Sequence, residues 1–309
     1  MLFKWPFGRP KKAADFFVLG GARLEMLQQE GRYSCYRNTR ATLHKLARFT
    51  GRHALPVKDL NTALLEGFRD YLTDMLGNSH NTVVENFKVI SQLLDEAHVI
   101  PNPCKGLKLT REATERCFLQ EDELQRILAL RLKAGSEIDL ARDIFYVECR
   151  TGLRISDLLN LRWDGVSDGT LRLKMQKTRR RVTVPISAGV GAVLEKYRTL
   201  FSTPSMRVFP IVDRFETHNR SFESDRARVY ATARINLQLK KLAKRAGIEK
   251  NVSTHTGRHT FATALIGKGA SIYEVKELLG HHDVRVTQVY AHLLDSRKRE
   301  LVECLDAGI

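Results

Sequence analysis

The residues of this chain best suited to chemistry lie in four short stretches of its second half: TGLRISD, KMQKTRRRVTVP, STHTGRHTFAT and LGHHDVRVTQVYAH. In the first, Arg154 follows a Thr151-Gly152 break and stands at the mouth of a helix begun by Ile155 and Ser156, with Asp157 three residues on. A guanidinium so placed can turn its planar fork of donors on a phosphate while the carboxylate orients it; a surface Arg–Asp pair is the plainer reading. In the third stretch, His255 and Arg258 are three apart and share a helix face, while Phe261, Ala264 and Leu265 cover another. An imidazole beside a fixed cation can bind a phosphodiester and handle a proton next to it, and a capping histidine with a surface arginine competes with that reading. A zinc site on His255 and His259 fits poorly. The glutamate of H-E-x-x-H is missing, no nearby cysteine or carboxylate completes the ligand set, and Arg258 would sit between the ligands.

The fourth stretch follows Ser271 and Glu274, a capping box that opens a helix with Ile272, Val275, Leu278 and Leu279 toward the core, and Gly280 closes it. His281 therefore falls at a helix C-terminus, where a protonated imidazole is favoured. Tyr290 comes nine residues later among Val286, Val289, Leu293 and Leu294, and a core tyrosine with its hydroxyl in water is the competing reading. The second stretch crowds Arg172, Lys174, Lys177, Arg179, Arg180 and Arg181 around a predicted β-hairpin, where the β-branched VTV triplet and alternation mark two short strands. Charge runs usually face solvent, but a tip this basic suits a nucleic-acid groove, and Lys177 at the start of the turn can act as a general acid. These parts share a phosphate. Two arginines, two histidines and a lysine can neutralise a pentavalent phosphorane, and a tyrosine can attack it. No acidic cluster suits two metal ions, so phosphoryl transfer with no metal and no cofactor is expected.

The elements that must position these groups are mainly helical. Residues 1–14 read as a mobile basic arm, and residues 15–108 as a helical bundle with Ser34, Asn61 and Ser79 as N-caps. Residues 109–117 have linker composition, and residues 118–309 form a second domain of helices around the hairpin. The fold class is mainly α with a small β element. A net charge of +16 favours an acidic polymer as partner over a membrane surface. No apolar run approaches the roughly 20 residues of a membrane span, and the start has no continuous apolar segment, so a cytoplasmic protein is expected. The five cysteines are scattered and read as reduced thiols.

In order and spacing, these motifs resemble those of the tyrosine recombinases, the phage integrase family. There an arginine follows a TG turn, a lysine sits on a β-hairpin, an H-x-x-R pair opens a later helix, and L-G-H precedes a nucleophilic tyrosine by nine residues. The resemblance spans about residues 118 to 305, and the bundle with NTVVENFKVISQLL looks like the family's SAM-like domain, matched by pattern more than by motif. It implies a helical SAM-like core-binding domain followed by a mixed α+β tyrosine-recombinase catalytic domain. It also implies that Tyr290 attacks the scissile phosphate, leaving a 3′-phosphotyrosyl bond and a free 5′-hydroxyl. Arg154 and Arg258 would hold the nonbridging oxygens, His281 would bond the phosphate and His255 would assist proton movement at the nucleophile. Lys177 would protonate the departing 5′-oxygen, with Lys174 as the alternative, and Asp157 would brace the site. Lys174, Arg179, Arg180 and Arg181 are expected to contact DNA. His282 and Asp283 depart from the small polar residues more usual after the LGH. The implied activity is site-specific recombination, with a type IB topoisomerase-like relaxing enzyme and a non-catalytic DNA-binding protein as alternatives. The implied partners are double-stranded target sites, accessory DNA-bending or directionality proteins and three further copies in a synaptic homo-tetramer. In that assembly the terminal stripe of Leu301, Val302 and Leu305 would dock on a neighbour.

Overall fold

The computed structural model describes residues 15–113, 116–200, 202–215, 221–281, 283, 284, 287 and 290. The arm expected over 1–14, His282 and the terminal apolar stripe lie outside the described residues. Two compact units are present. The first comprises the described residues up to 113 together with 221–226, and the second comprises the rest.

In the first unit, α1 (Phe16–Gln29), α2 (Tyr33–Thr50), α3 (Thr62–Asp70) and α4 (His80–Glu96) surround a core that includes Phe16, Leu46, Leu65, Phe68, Ile90 and Leu94. Asp15 starts α1 by accepting the N–H groups of Phe17 and Val18 at 2.9 and 3.0 Å, and Asn61 starts α3 by accepting that of Leu64 at 3.0 Å. Ser79 stands at the N-cap of α4, but its hydroxyl pairs with that of Thr82 at 2.9 Å and caps no backbone N–H. Ser34 is not the cap of α2, which begins one residue earlier. Its own N–H, one of the orphan donors of that first turn, is taken by the Asp225 carboxylate at 3.2 Å.

The second unit contains α5 (Glu121–Leu128), α6 (Glu137–Thr151), α7 (Ile155–Leu158), β1 (Val166–Ser167), β2 (Thr170–Lys174), β3 (Arg181–Pro185), α8 (Ala188–Glu195), α9 (Ser221–Arg245, from residue 227 onward), α10 (Thr254–Gly267) and α11 (Ile272–Leu279). The expected hairpin is β2 and β3, antiparallel, with Lys174 opposite Arg181 and Lys177 in the connecting turn. A third strand, β1, pairs with β2 through Val166–Leu171 and Ser167–Thr170; two residues are too short to show an alternating pattern in the sequence. The main core packs Ile144, Phe145 and Val147 of α6 with Leu239 and Leu242 of α9 and with Phe209. A smaller apolar cluster joins Phe261, Ala262 and Ile266 of α10 to Val275 and Leu279 of α11 and to Tyr290. No helix among the described residues is long and apolar enough to cross a membrane.

Candidate active site

Arg258 organises the centre of the site. It is buried near the start of α10, where Nη1 donates to the Gly152 carbonyl at 2.6 Å and Nη2 donates to the Leu279 carbonyl at 2.7 Å. Nη2 also lies 2.8 Å from His281 Nε2. One guanidinium thus ties the ends of α6 and α11 to α10. Burial, then the charge of Arg154, lowers its pKa to about 10, so it remains a cation at neutral pH.

Those two helix ends come close because both stop on left-handed glycines. Gly152 ends α6 at φ 65° and Gly280 ends α11 at φ 61°. A Cβ on Gly152 would lie 2.3 Å from the Phe261 ring and 2.8 Å from Leu279, and one on Gly280 would lie 2.5 Å from the Met175 sulfur. Gly152→Ala is therefore expected to destabilise the protein by roughly 3 kcal/mol, combining left-handed strain with overpacking, and urea unfolding midpoints measure it. An unchanged midpoint would show that this turn is not tightly packed.

His281 departs from the expectation of a charged imidazole. Because Arg258 can only donate, the facing Nε2 must accept, which leaves the proton on Nδ1, 2.9 Å from Thr287 Oγ1. Burial, followed by the charges of Arg258, Arg154, Arg116 and Lys177, pushes its pKa down to about 3. The cations around it outweigh the helix C-terminus.

Arg154 is half-buried as the N-cap residue of α7, and Nη1 lies 3.6 Å from Met175 Sδ. Asp157 is buried and does not pair directly with it. Its Oδ1 accepts the Gln176 N–H at 2.8 Å, which holds the hairpin turn beside Lys177, while Oδ2 has no hydrogen-bonding partner among the described residues. Burial raises the Asp157 pKa, opposed by that hydrogen bond and by Arg154 and Arg258. Lys177 is exposed in the turn. Its charge acts on both His255 and His281, whereas that of Lys174 is not among the causes of either shift. Lys174, Arg179, Arg180 and Arg181 are exposed along the hairpin, with Arg180 3.5 Å from Glu277. His255 is exposed on the first turn of α10, and loss of surrounding water, then Arg258, Lys177, Arg154 and Arg116, lowers its pKa.

Tyr290 is only 3% exposed and packs in the small apolar cluster. The imidazole at its hydroxyl is that of His259, through Nδ1, rather than that of His255. The two rings are 5.8 Å apart between centroids. The Arg116 guanidinium lies 5.9 Å from the centre of the tyrosine ring. Burial raises the phenol pKa, and Arg116 and Arg258 oppose it.

Four residues of this site escaped the sequence reading. The sequence marks His259 only as a candidate zinc ligand, although its i, i+4 relation to His255 puts it one turn along the same helix. Arg116 lies in linker-like sequence with no periodicity. Glu148 carries a usable signal: a carboxyl on the apolar face of α6, buried and held far above the ordinary carboxylate range by that burial. Thr287 offered none. Among the described residues, no group of three or more His, Cys, Asp or Glu could hold a metal ion.

Comparison with known proteins places this arrangement. The model of the phage integrase family matches residues 117–297, and that of the phage integrase SAM-like domain matches residues 15–99. A tyrosine recombinase from Thermosipho africanus is 35% identical over 61% of this chain and 61% of its own length. The tyrosine recombinase XerC of Xylella fastidiosa strain M23 is 32% identical over 65% of each chain. The chain thus spans less than two thirds of the length of these two relatives. In fold, it is similar to a lambda integrase dimer bound to a COC′ core site, with a TM-score of 0.65, 17% identity and coverage of 89% of this chain and 77% of that one. It is also similar to the XerH site-specific recombinase bound to palindromic difH substrate, with a TM-score of 0.62, 17% identity and coverage of 98% and 100%. With one family model matched over residues 117–297 and the SAM-like domain model over residues 15–99, the chain belongs to the phage integrase family.

Proposed function

We propose that the protein is a site-specific DNA recombinase that cleaves and rejoins duplex DNA through a 3′-phosphotyrosyl bond on Tyr290. The observation that carries this reading is the convergence of cations: Arg154, Arg258, Arg116 and Lys177 all act on His281, and Arg258 also acts on the Tyr290 hydroxyl. Cations that outnumber the two buried carboxyls beside them, Asp157 and Glu148, are suited to an anion, and a phosphodiester passing through a phosphorane adds charge at the moment when such preorganised donors count most.

In this reading Arg154 and Arg258 hold the nonbridging oxygens and Tyr290 attacks phosphorus. Lys177 delivers a proton to the 5′-oxygen, and Asp157 fixes the turn that presents that lysine. His281, neutral and oriented by Thr287, keeps Arg258 aimed at the phosphate. The exposed cations of the hairpin contact the DNA backbone, fixing register rather than reading sequence. Residues 15–108 form a core-binding domain and 118–309 the catalytic domain, joined by 109–117. The lambda integrase tetramer bound to a Holliday junction and the DNA complexes of XerH support duplex target sites as substrate and a homo-tetramer as the working assembly.

The test is single-turnover reaction with a nicked duplex that traps the covalent adduct, once candidate sites flanking the coding region are in hand. A denaturation-resistant protein–DNA adduct is expected in excess EDTA and without nucleotide, since no step here uses either. Duplex affinity should fall steeply with salt as counterions are released. Absence of any adduct, or adduct formation only on restoring a divalent metal, would sink the proposal.

A further inference from the structure

The sequence HTGRH puts two imidazoles one helical turn apart on α10, and the structure gives them different surroundings. His255 is exposed and feels Lys177 and Arg154. His259 is half-buried with Nδ1 against the Tyr290 hydroxyl. Between the two in sequence stands Arg258, so the tyrosine oxygen and the phosphate grip are served by adjacent residues of one helix.

The direction of the His259–Tyr290 bond follows from a third group. Arg116 carries donors and no acceptor, and its charge, 5.9 Å from the centre of the ring, favours the tyrosine oxygen turning its lone pairs toward it. The hydroxyl proton is left to point at the imidazole. The groups that face His259 are Arg116 from the segment before α5, His255 and Arg258 on α10, and Tyr290 itself; the first three are cations or can become so. Burial and those charges lower the imidazole pKa to about 4, so it is neutral at physiological pH with one nitrogen free to accept.

We infer that His259 is the base that takes the hydroxyl proton of Tyr290 as its oxygen attacks the phosphate, and that Arg116 stabilises the charge developing on that oxygen. This rests on the reading of Tyr290 as nucleophile. The step balances: the Oη–P bond forms as the P–O5′ bond breaks, the phenolic proton passes to His259 Nδ1, and the departing 5′-oxygen takes a proton from Lys177. On rejoining, His259 returns its proton to the leaving phenolate. A histidine is a catalytic residue here because it touches the reacting atom, and Arg116, one residue before the stretch matched by the catalytic family model, lies beside the same ring.

The experiment uses full-length His259→Gln and His259→Ala in single-turnover adduct formation between pH 6 and 8.5. The wild-type rate should be nearly flat, because a base with a pKa of about 4 stays unprotonated throughout. Both variants should be about 10²- to 10³-fold slower at pH 7, and their rates should climb close to tenfold per pH unit as hydroxide or pre-formed phenolate replaces the base. Gel-shift affinity should change less than about threefold. Arg116→Gln should slow cleavage about tenfold while keeping the wild-type pH profile. A variant rate equal to wild type, or a loss by the same factor at every pH, would overturn the assignment, the second outcome marking a packing role. If the Ala variant does not fold, the Gln variant carries the pH test with a polar side chain in place. A normal adduct from Tyr290→Phe would instead sink the nucleophile itself, whatever the histidine variants do.

Discussion

Tyr290→Phe is expected to abolish adduct formation, lowering it at least about 10⁴-fold and below detection, while duplex binding stays within about threefold of wild type. The substitution removes one oxygen from a side chain that is otherwise seated among Phe261, Ala262, Ile266, Val275 and Leu279. The phenylalanine ring fills the same space. What is lost structurally is the bond to His259, on the order of 0.5–1.5 kcal/mol for a typical hydrogen bond, too little to unfold a two-unit protein. The proposed binding surface is untouched, because the exposed cations at Lys174, Lys177, Arg179 and Arg181 lie on the β2–β3 hairpin. A nicked duplex separates the two readouts, with gel shift for binding and a denaturing gel for the adduct. Persistent adduct in the Phe variant would move the nucleophile elsewhere, with Tyr273 on α11, 70% exposed, the first residue to replace in turn.

Legibility from sequence divides along a physical line. Features set by local pattern were open to reading. The glycine stops at 152 and 280, the Ser271–Glu274 capping box and the hairpin that carries Lys177 are each fixed by residues within a few positions of one another. Groups whose state depends on what the fold brings from afar were not. His281 reads as a charged C-terminal imidazole when only α11 is considered. Arg258, 23 residues away in sequence, turns it into a neutral acceptor. Ser34 reads as a cap until Asp225, 191 positions on, supplies the carboxylate. His259 and Arg116 meet at Tyr290 from segments far apart in sequence, and only tertiary packing selects His259 over His255 for that contact.

The two arginines at the centre should part company when each is removed, and the contrast tests whether they are there for the substrate or for the fold. Arg258 serves both. Arg258→Ala leaves the carbonyls of Gly152 and Leu279 and the imidazole of His281 without their donor in a buried site, so a stability loss of about 3 kcal/mol or more should accompany a fall in cleavage of at least about 10³-fold. Lysine cannot rescue it, since one ammonium cannot span three acceptors arranged for a planar fork. Arg154 is the opposite case. Its guanidinium is half-buried, touches only the Met175 sulfur at 3.6 Å as hydrogen-bonding partner among the described residues, and adds its charge to that of Arg258. Burial penalises its charged form, with Asp157 giving partial relief. Arg154→Ala should therefore leave stability unchanged or raise it by about 0.5–1 kcal/mol, since a desolvated and weakly paired cation is removed, while cleavage falls about 10³-fold. Urea unfolding and adduct formation on the same two preparations give all four numbers. If Arg154→Ala proved as destabilising as Arg258→Ala, or cleaved at the wild-type rate, the cation would be a structural part. A stable but inactive variant would mean that the fold holds this charge half-desolvated, at a cost, for a phosphate that neutralises it.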